Sequence, residues 1–576
     1  MSLDSSIERT IKLVTLKNAL EYDGKAKLEA VISKTMASRP DLRTNIKVII
    51  PEIKRLLDQV NSLAISEQKT LLQEISPPAV EPEKQVEKFS GLPELHGAEL
   101  GKVVTRFPPE PNGYPHIGHA KAAIIDEEYA KMYNGKLILR FDDTNPLNER
   151  VEYYDAIKEG IEWLGIKPAI IKNTSDDIFI LQDYGKKLVT SRGAYVCRCD
   201  QKTIQMLRSK GLECACRMDN NSYEQALVEM FAGSFEPNEA TIRFRGDMTS
   251  LNSAMRDPTL FRIIDGDHPV LGTKVRVYPT YDFAAPLEDS LDGVTHAMRT
   301  KEYELRNELY NAVLERLHLR KPVVSEFSRL EFEGLPVSKR RIKPLIENGS
   351  LSGWDDPRLP TLIALKRRGF LPEAIRKFVL SLGWTLAEAK PPFESLEAFN
   401  RKNLDEHSMR LFFVRDPIEL RIKNANPVSV ELRNHPSSNL GSRSVRVNDT
   451  VYIARSDADR LSEGSTIRLM ELYNVKITKV ELAQDIGRIY ADMISTNLTH
   501  SIQKIQWVAY DDKLPYKIII PKKLFSNDKF NSNSLEIASG YAESFVSNLR
   551  LHSSVQFVRY GFCRIDNSQQ AVFTHR

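Results

Sequence analysis

The 576-residue sequence has no apolar run approaching the roughly 18 residues that cross a bilayer. Its opening, MSLDSSIERT, lacks the basic stretch followed by an apolar one that marks a secreted protein. A membrane protein and a secreted one are therefore not expected, and the reading places the chain in the cytoplasm. Charge of one sign is also lacking: 81 Lys and Arg face 77 Asp and Glu, which excludes a polycationic nucleic-acid coat. Cysteine is scarce, with five residues, and a chain this long does not need a disulfide framework. No repeat period and no low-complexity tract stands out. The length exceeds what a single hydrophobic core supports, so about three to five structural units are expected.

Residues 1–75 show apolar side chains at helical spacing (Ile7, Ile11, Val14; then Ile49, Ile53, Leu56) and read as a helical N-terminal domain. The stretch 76–96, rich in Pro and Glu, reads as a linker. From 97 the pattern becomes strand–helix–strand, with VVTRF, a helix from about Gly118 to Met132, and KLILRF at 136–141, a βαβ unit. An α/β domain in two halves, 97–180 and 276–340, is expected around an insertion at 181–275. A helical connector follows at 341–408. After that the period shifts toward two, as in YKIIIPK and VQFVRYGFCRID, and 409–576 reads as antiparallel β-barrels. The tail carries 22 basic and 17 acidic residues over 411–576, a local excess of +5.

The sharpest motif is RFPPEPNGYPHIGHA, Arg106 to Ala120. A strand ends in a Pro-rich loop, turns at Asn112–Gly113 and opens a helix near Ile117. The N–H groups of a helix N-terminus favour phosphate, and Gly118 lets a nucleotide approach the backbone. His116 and His119 are spaced to set two imidazole donors beside a triphosphate.

This segment resembles the signature of class I aminoacyl-tRNA synthetases, and its flanks resemble the glutamyl/glutaminyl group of the archaeal and eukaryotic type. LRFDDTNP, MRDPTLFRI, YPTYDF, EFSRLEFEG and GWDDPRLPTL extend the resemblance over residues 100–410. It implies a Rossmann-type catalytic domain, an acceptor-end insertion and an anticodon-binding β-barrel tail. The family's second phosphate loop, usually KMSKS, corresponds to Pro336-Val337-Ser338-Lys339-Arg340-Arg341, which departs from it at the first two positions. There Lys339 would meet charge developing on departing pyrophosphate. The implied catalytic residues are His116, His119 and Lys339. The implied ATP site, loaded with Mg2+, adds Glu110, Asn112, Gly118, Thr300, Arg329, Leu330, Val337 and Ser338. The implied L-glutamate pocket is Arg106, Asp142, Tyr281 and Arg299. Arg299 pairs with a γ-carboxylate in glutamyl members, whereas glutaminyl members have a smaller uncharged residue there. Ala285–Pro286 also resembles the glutamyl pattern.

The resemblance thus implies ATP-driven ligation of glutamate to tRNA, with glutamine ligation as the alternative activity; the sequence leaves open whether tRNA(Glu) is the sole RNA partner or tRNA(Gln) is a second. A nucleotidyltransferase without tRNA would not need the connector and the barrel tail. The N-terminal helices are a candidate docking module for a protein partner, such as another synthetase, or for tRNA.

Cys197-x-Cys199 and Cys214-x-Cys216 offer four thiolates to a structural Zn2+, and reduced structural cysteines are the competing reading. In the tail, Arg433, Arg443, Arg446, Lys522 and Lys523 with Trp507, Tyr510 and Phe557 suit splayed and stacked anticodon bases, against a plain solvated surface.

Overall fold

The computed structural model describes residues 5–22, 24–39, 46–75, 92–219, 223–388, 390–483, 487–497 and 502–576. It falls into two units, Met1–Phe89 and Ser90–Arg576. The expected 76–96 linker lies, through residue 91, outside the described residues. The first unit holds helices Ser5–Glu21, Leu28–Ser38, Ile46–Asn61 and Ile65–Ile75. Ile49, Ile53, Leu56 and Val60, three or four residues apart, put one face of the third helix into a core with Ile11, Leu16 and Val31. The Gln68 side chain donates to the carbonyls of Val60 (2.8 Å) and Gly24 (3.0 Å), tying the fourth helix to that core.

In the second unit the apolar runs Val104–Phe107, Lys136–Phe141 and Ile170–Asn173 form a parallel sheet in that order. A second parallel pair, His296–Thr300 with Val323–Phe327, adjoins its Val104 edge. There Thr295 N donates to Val104 O (2.9 Å) and Val104 N to the Thr295 hydroxyl (2.8 Å). Successive strands therefore run outward in opposite directions from the seam between Val104–Phe107 and His296–Thr300. In such sheets ligands bind beyond the carboxyl ends of the strands at that seam. Between the third and fourth parallel strands the chain makes an antiparallel four-stranded sheet, Ala194–Cys197, Thr241–Phe244, Thr259–Ile263 and Val277–Pro279. Helices Lys339–Glu347, Leu362–Arg368, Pro372–Ser381 and Phe393–Leu404 follow the parallel strands.

The tail forms two barrel-like seven-stranded sheets, mainly antiparallel, each with two parallel pairs. One runs Gln503–Ile505, Thr466–Leu469, Asn474–Leu482, Gly487–Ser495, Pro417–Lys423, Thr450–Ala454, Val508–Ala509. The other runs Met409–Leu411, Ser554–Phe557, Gly561–Asn567, Gln570–His575, Lys513–Pro521, Leu535–Glu543, Phe413–Arg415. The strand orders are equivalent, with the outer pairs exchanged: 409–415 serve the later sheet and 503–509 the earlier. Local bonds repeat too. Gly464 N to Ile477 O and Ile477 N to Ser465 O match His552 N to Ile565 O and Ile565 N to Ser553 O. Met470 N to Ile505 O matches Val558 N to Leu411 O. At the crossing, Phe412 packs edge-on against Trp507 (5.8 Å), and Gln506 donates to Phe413 O (2.7 Å). A repeat not visible as a sequence period is thus present in the topology. The hairpins Val428–Val447 and Phe525–Phe530 differ in length and shift one copy against the other.

Three residues expected at a nucleic-acid surface lie in the core instead. Trp507 is buried and donates to Met470 O (2.8 Å), Phe557 is buried between the strands, and Arg443 is buried in an ion pair with Glu543. Their alternation fits a barrel interior as well as an outer face, so the period alone does not choose the side. Arg433, Arg446 and Tyr510 are exposed, whereas Lys522 and Lys523 lie beside Glu536 (2.7 Å) and Glu333 (3.3 Å).

Candidate active site

The loop after the first parallel strand reaches helix Ile117–Met132 at the seam, where the segment 352–361 clamps it. Ile117 N donates to Pro360 O (3.0 Å) and Leu362 N to Pro115 O (2.8 Å). His116 caps this helix. Its Nδ1 accepts from Gly118 N (3.1 Å), while its own N–H is directed at His119 Nδ1 (3.2 Å). With both Nδ1 atoms accepting, the bond network assigns the ring proton of each imidazole to Nε2. Burial, then the neighbouring His119 and Arg329, lowers the pKa of His116 well below the usual imidazole value. Burial and Arg329 bring His119 to about 4. The pair is thus neutral at pH 7 and still offers two N–H donors. A side chain at Gly118 would meet the His116 ring at 2.9 Å and Leu330 O at 3.5 Å, so only glycine keeps this arrangement.

Facing the helix end is a cleft of about 230 Å³ whose walls include Asn112, His116, His119, Val337, Lys339 and Trp354. The Lys339 ammonium bonds Asn112 O and lies 4.9 Å from the Tyr153 ring. Ser338 is the N-cap of the Lys339–Glu347 helix. The loop before it is held by the hairpin Phe525–Phe530: Phe525 N donates to Gly334 O (3.1 Å), and Arg341 lies over the Phe525 ring (4.2 Å) and donates to Asp528 (3.2 Å). Gly334, at φ +74, approaches Phe525 O so closely that a Cβ would stand 2.7 Å from it. Glu110 and Asn112 share the first loop, with Asn112 N donating to Glu110 O (2.8 Å). Thr300 ends the fourth parallel strand, and Leu330 is buried below Gly118. Arg329 is exposed and paired with Glu302 and Glu331.

Across the seam, Arg106 is fully buried and donates to Asp289 (3.0 Å) and Met298 O (2.7 Å). Arg140 also binds Asp289 (2.9 Å) and reaches Asp142 (3.1 Å) and Asp292 (3.1 Å). Burial opposes ionisation of Asp289, but Arg106 and Arg140 outweigh it and hold its pKa down to about 2. Asp142 is pushed up by burial, only partly offset by Arg140. Tyr281 starts helix Tyr281–Leu291 and lies 4.8 Å from Tyr303. Arg299 is buried over the Tyr310 ring (4.0 Å) and donates to Asn307 (3.4 Å), while its Nε and Nη2 have no acceptor among the described residues. A buried guanidinium left this way is costly unless a carboxylate arrives.

The four clustered thiols lie within 4.8 Å of one another, with Sγ separations of 3.9 Å (Cys197–Cys214) and 3.7 Å (Cys199–Cys216). Tetrahedral Zn2+ with bonds of about 2.3 Å needs edges of about 3.8 Å, so the donor set fits that ion.

The sequence reading did not single out Asp289, Asn307 or Tyr310, which position Arg106 and Arg299, or Trp354, which stacks on Tyr114 (5.6 Å) beside the cleft. The GWDDPRLPTL motif carried the only local signal for Trp354. The others lie on ordinary helix faces.

Residues 102–406 match the family model for tRNA synthetases class I (E and Q), catalytic domain, and 408–494 and 504–566 match its two anti-codon binding domain models. A glutamate–tRNA ligase of Nitrosopumilus maritimus is 49% identical over the full length of both chains. Those of Cenarchaeum symbiosum and Pyrococcus abyssi are 47% and 37% identical, each over 99% of this chain and 100% of the relative. With full-length identity at this level and a helix-capping histidine pair set at the seam of its parallel sheet, the chain belongs to the glutamyl/glutaminyl family of class I tRNA synthetases.

Proposed function

We propose that this chain is a glutamate–tRNA ligase acting in the cytoplasm, where tRNA and ATP are both available. The observation that carries the choice of amino acid is Arg299, buried with two donor atoms unfilled. A γ-carboxylate fills them, whereas a glutamine amide would leave the guanidinium charge uncompensated. Asp142 receives the α-ammonium group, and Tyr281 frames the side chain. In the first step an α-carboxylate oxygen of glutamate attacks the α-phosphorus of ATP, and the bond to pyrophosphate breaks. The Nε2–H groups of His116 and His119 donate to phosphate oxygens, and Lys339 leaves Asn112 O to meet the charge growing on pyrophosphate. Glu110, Asn112, Gly118, Thr300, Arg329, Leu330, Val337 and Ser338 complete the nucleotide cradle. Mg2+ bound with ATP neutralises phosphate charge. In the second step a terminal ribose hydroxyl of tRNA attacks the acyl carbon and AMP leaves. Positioning and charge suffice, without a protein nucleophile.

The reading also assigns a structural Zn2+ to Cys197, Cys199, Cys214 and Cys216, bracing the 181–275 insertion. It is supported by the tetrahedral thiol spacing and tested by metal analysis of the purified protein, with about one zinc per chain expected and none in a Cys214→Ser variant. The activity is tested by charging total tRNA with labelled glutamate and, separately, labelled glutamine, with and without an oligonucleotide blocking tRNA(Gln). Glutamate charging that survives the block supports glutamate–tRNA(Glu) ligation, and charging with glutamine alone overturns it.

A further inference from the structure

Arg299 has a carboxylate beside it that it does not bind. In the parallel pair His296–Thr300 with Val323–Phe327, Arg299 is the register partner of Glu326. Side chains of register partners leave a sheet on the same face, and the strands are about 4.8 Å apart, so the two charges are within reach of each other. Among the described residues, however, neither has an opposite charge at ion-pair distance. Asn307, the first residue of helix Asn307–Arg316, stands between them. Its Oδ1 accepts from Arg299 Nη1 (3.4 Å), and its Nδ2 donates to the Glu326 carboxylate. Only this orientation of the amide satisfies both neighbours, because the reverse would set an NH2 against a guanidinium and a carbonyl against a carboxylate. The guanidinium also lies over the Tyr310 ring (4.0 Å), whose hydroxyl donates to Asp289 (3.0 Å). A buried guanidinium and a half-buried carboxylate in register would ordinarily pair. Here such a pair would consume the Nε and Nη2 donors that stand unfilled.

We propose that Asn307 is a positioning residue for amino-acid selection, holding Arg299 away from Glu326 so that the guanidinium is filled by the ligand's carboxylate and not by the protein's own. The proposal rests on the glutamate–tRNA ligase reading above. Glu326 acts through the same amide. It fixes the Asn307 oxygen toward Arg299, and its charge at one amide's remove lowers the cost of a buried cation whose other donors wait for the ligand. If the spacer is shortened, the flexible Arg299 and Glu326 side chains can close the gap. Glutamate must then break an internal ion pair in order to bind. Glutamine loses less, because it has no charge to offer and the paired pocket is already neutral. Selectivity thus depends on keeping a competing anion close but out of contact.

The test is a double-mutant cycle on the full-length protein: wild type, Asn307→Ala, Glu326→Gln and the double variant, each charging tRNA over a range of labelled glutamate with and without unlabelled glutamine as inhibitor. Thermal unfolding checks that each variant is folded. Asn307→Ser, whose side chain is too short to span the gap, takes the place of the alanine variant if that one does not fold. Asn307→Ala should raise the KM for glutamate about 10- to 100-fold, with kcat at saturating glutamate and the KM for ATP little changed. The ratio of the glutamine inhibition constant to the glutamate KM should fall with it. Adding Glu326→Gln to Asn307→Ala removes the competing charge and should recover most of the lost affinity. If folded Asn307→Ala matches the wild type, or if the double variant is no better than Asn307→Ala, the assignment is overturned, since a merely structural support for Arg299 would not be rescued by neutralising Glu326. If the wild type does not charge tRNA with glutamate, the underlying ligase reading fails instead.

Discussion

Arg299 and Arg443 are nearly equal in burial, at 4% and 5% exposed, and each lies against an aromatic ring. They differ in what their donors meet. Arg443 gives two groups to Glu543 and one to Asn434 (3.0 Å), and Glu543 also accepts from Phe412 N (2.6 Å). This network is closed and joins the exchanged segment 409–415 and the strand Leu535–Glu543 to the hairpin Val428–Val447. Arg299 has one long bond to Asn307 and two idle donor atoms. Burial alone therefore does not separate a structural charge from a binding one. On the proposed reading of Arg299 the number of unmet donors does, because folding tolerates an orphaned buried cation only where another gain offsets its cost.

The largest expected effect tests the closed network. Arg443→Ala should cost about 3–5 kcal/mol of unfolding free energy, measured by denaturant titration, while the surviving folded fraction charges tRNA normally. A loss below about 1 kcal/mol would break the comparison. Arg299→Gln should do the reverse: stability unchanged or slightly raised, and kcat/KM for glutamate lowered by a factor corresponding to about 2–5 kcal/mol. Equal glutamate use in the variant would remove Arg299 from the pocket. Lys339→Ala should slow single-turnover charging about 10- to 1,000-fold, with the glutamate concentration dependence little changed.

The smallest effect is in pH. The depressed pKa of His119, about 4, contributes stability that is present above the unfolded value of about 6.5 and is lost as pH falls from there toward 4. Burial raises Asp143 and Glu288 to about 7 and Glu149 to about 8, so their contribution has the opposite sign and is lost as pH rises through those values. The three raised carboxyls outnumber His119, so the melting temperature of the wild type should fall as pH rises from about 5 to 7. His119→Asn keeps an acceptor for His116 N but removes the histidine's opposing contribution, so its melting temperature should decline more steeply across that window.

Most of the fold was legible because the parallel strands, the capped helix and the connector helices carry local patterns. The Ile117–Met132 helix begins at the residue that its Pro-rich loop indicates. The geometry of the candidate site was legible where a motif is contiguous, as in the helix cap from His116 to His119, and much less so where distant segments meet. The grip of Phe525–Phe530 on the loop before Lys339 joins residues nearly 190 positions apart and has no local signature. The tail's alternation specifies strands but not which face is inward, so Trp507 and Phe557, which suit a base-stacking surface by sequence, lie in the core instead. An alternation specifies two faces and leaves to tertiary packing which of them is dry.

The exchanged outer strands also bear on where the tail can be cut. The two anti-codon binding matches end at 494 and resume at 504, which invites expression of each half alone. A fragment stopping at 495 would keep 409–415, strands with no sheet to enter, and would lose 503–509, which supply both edges of its own barrel and the Trp507 plug. Each half completes the other, as in a strand-swapped dimer fused into one polypeptide. The smallest heritable and expressible piece of this tail is the pair.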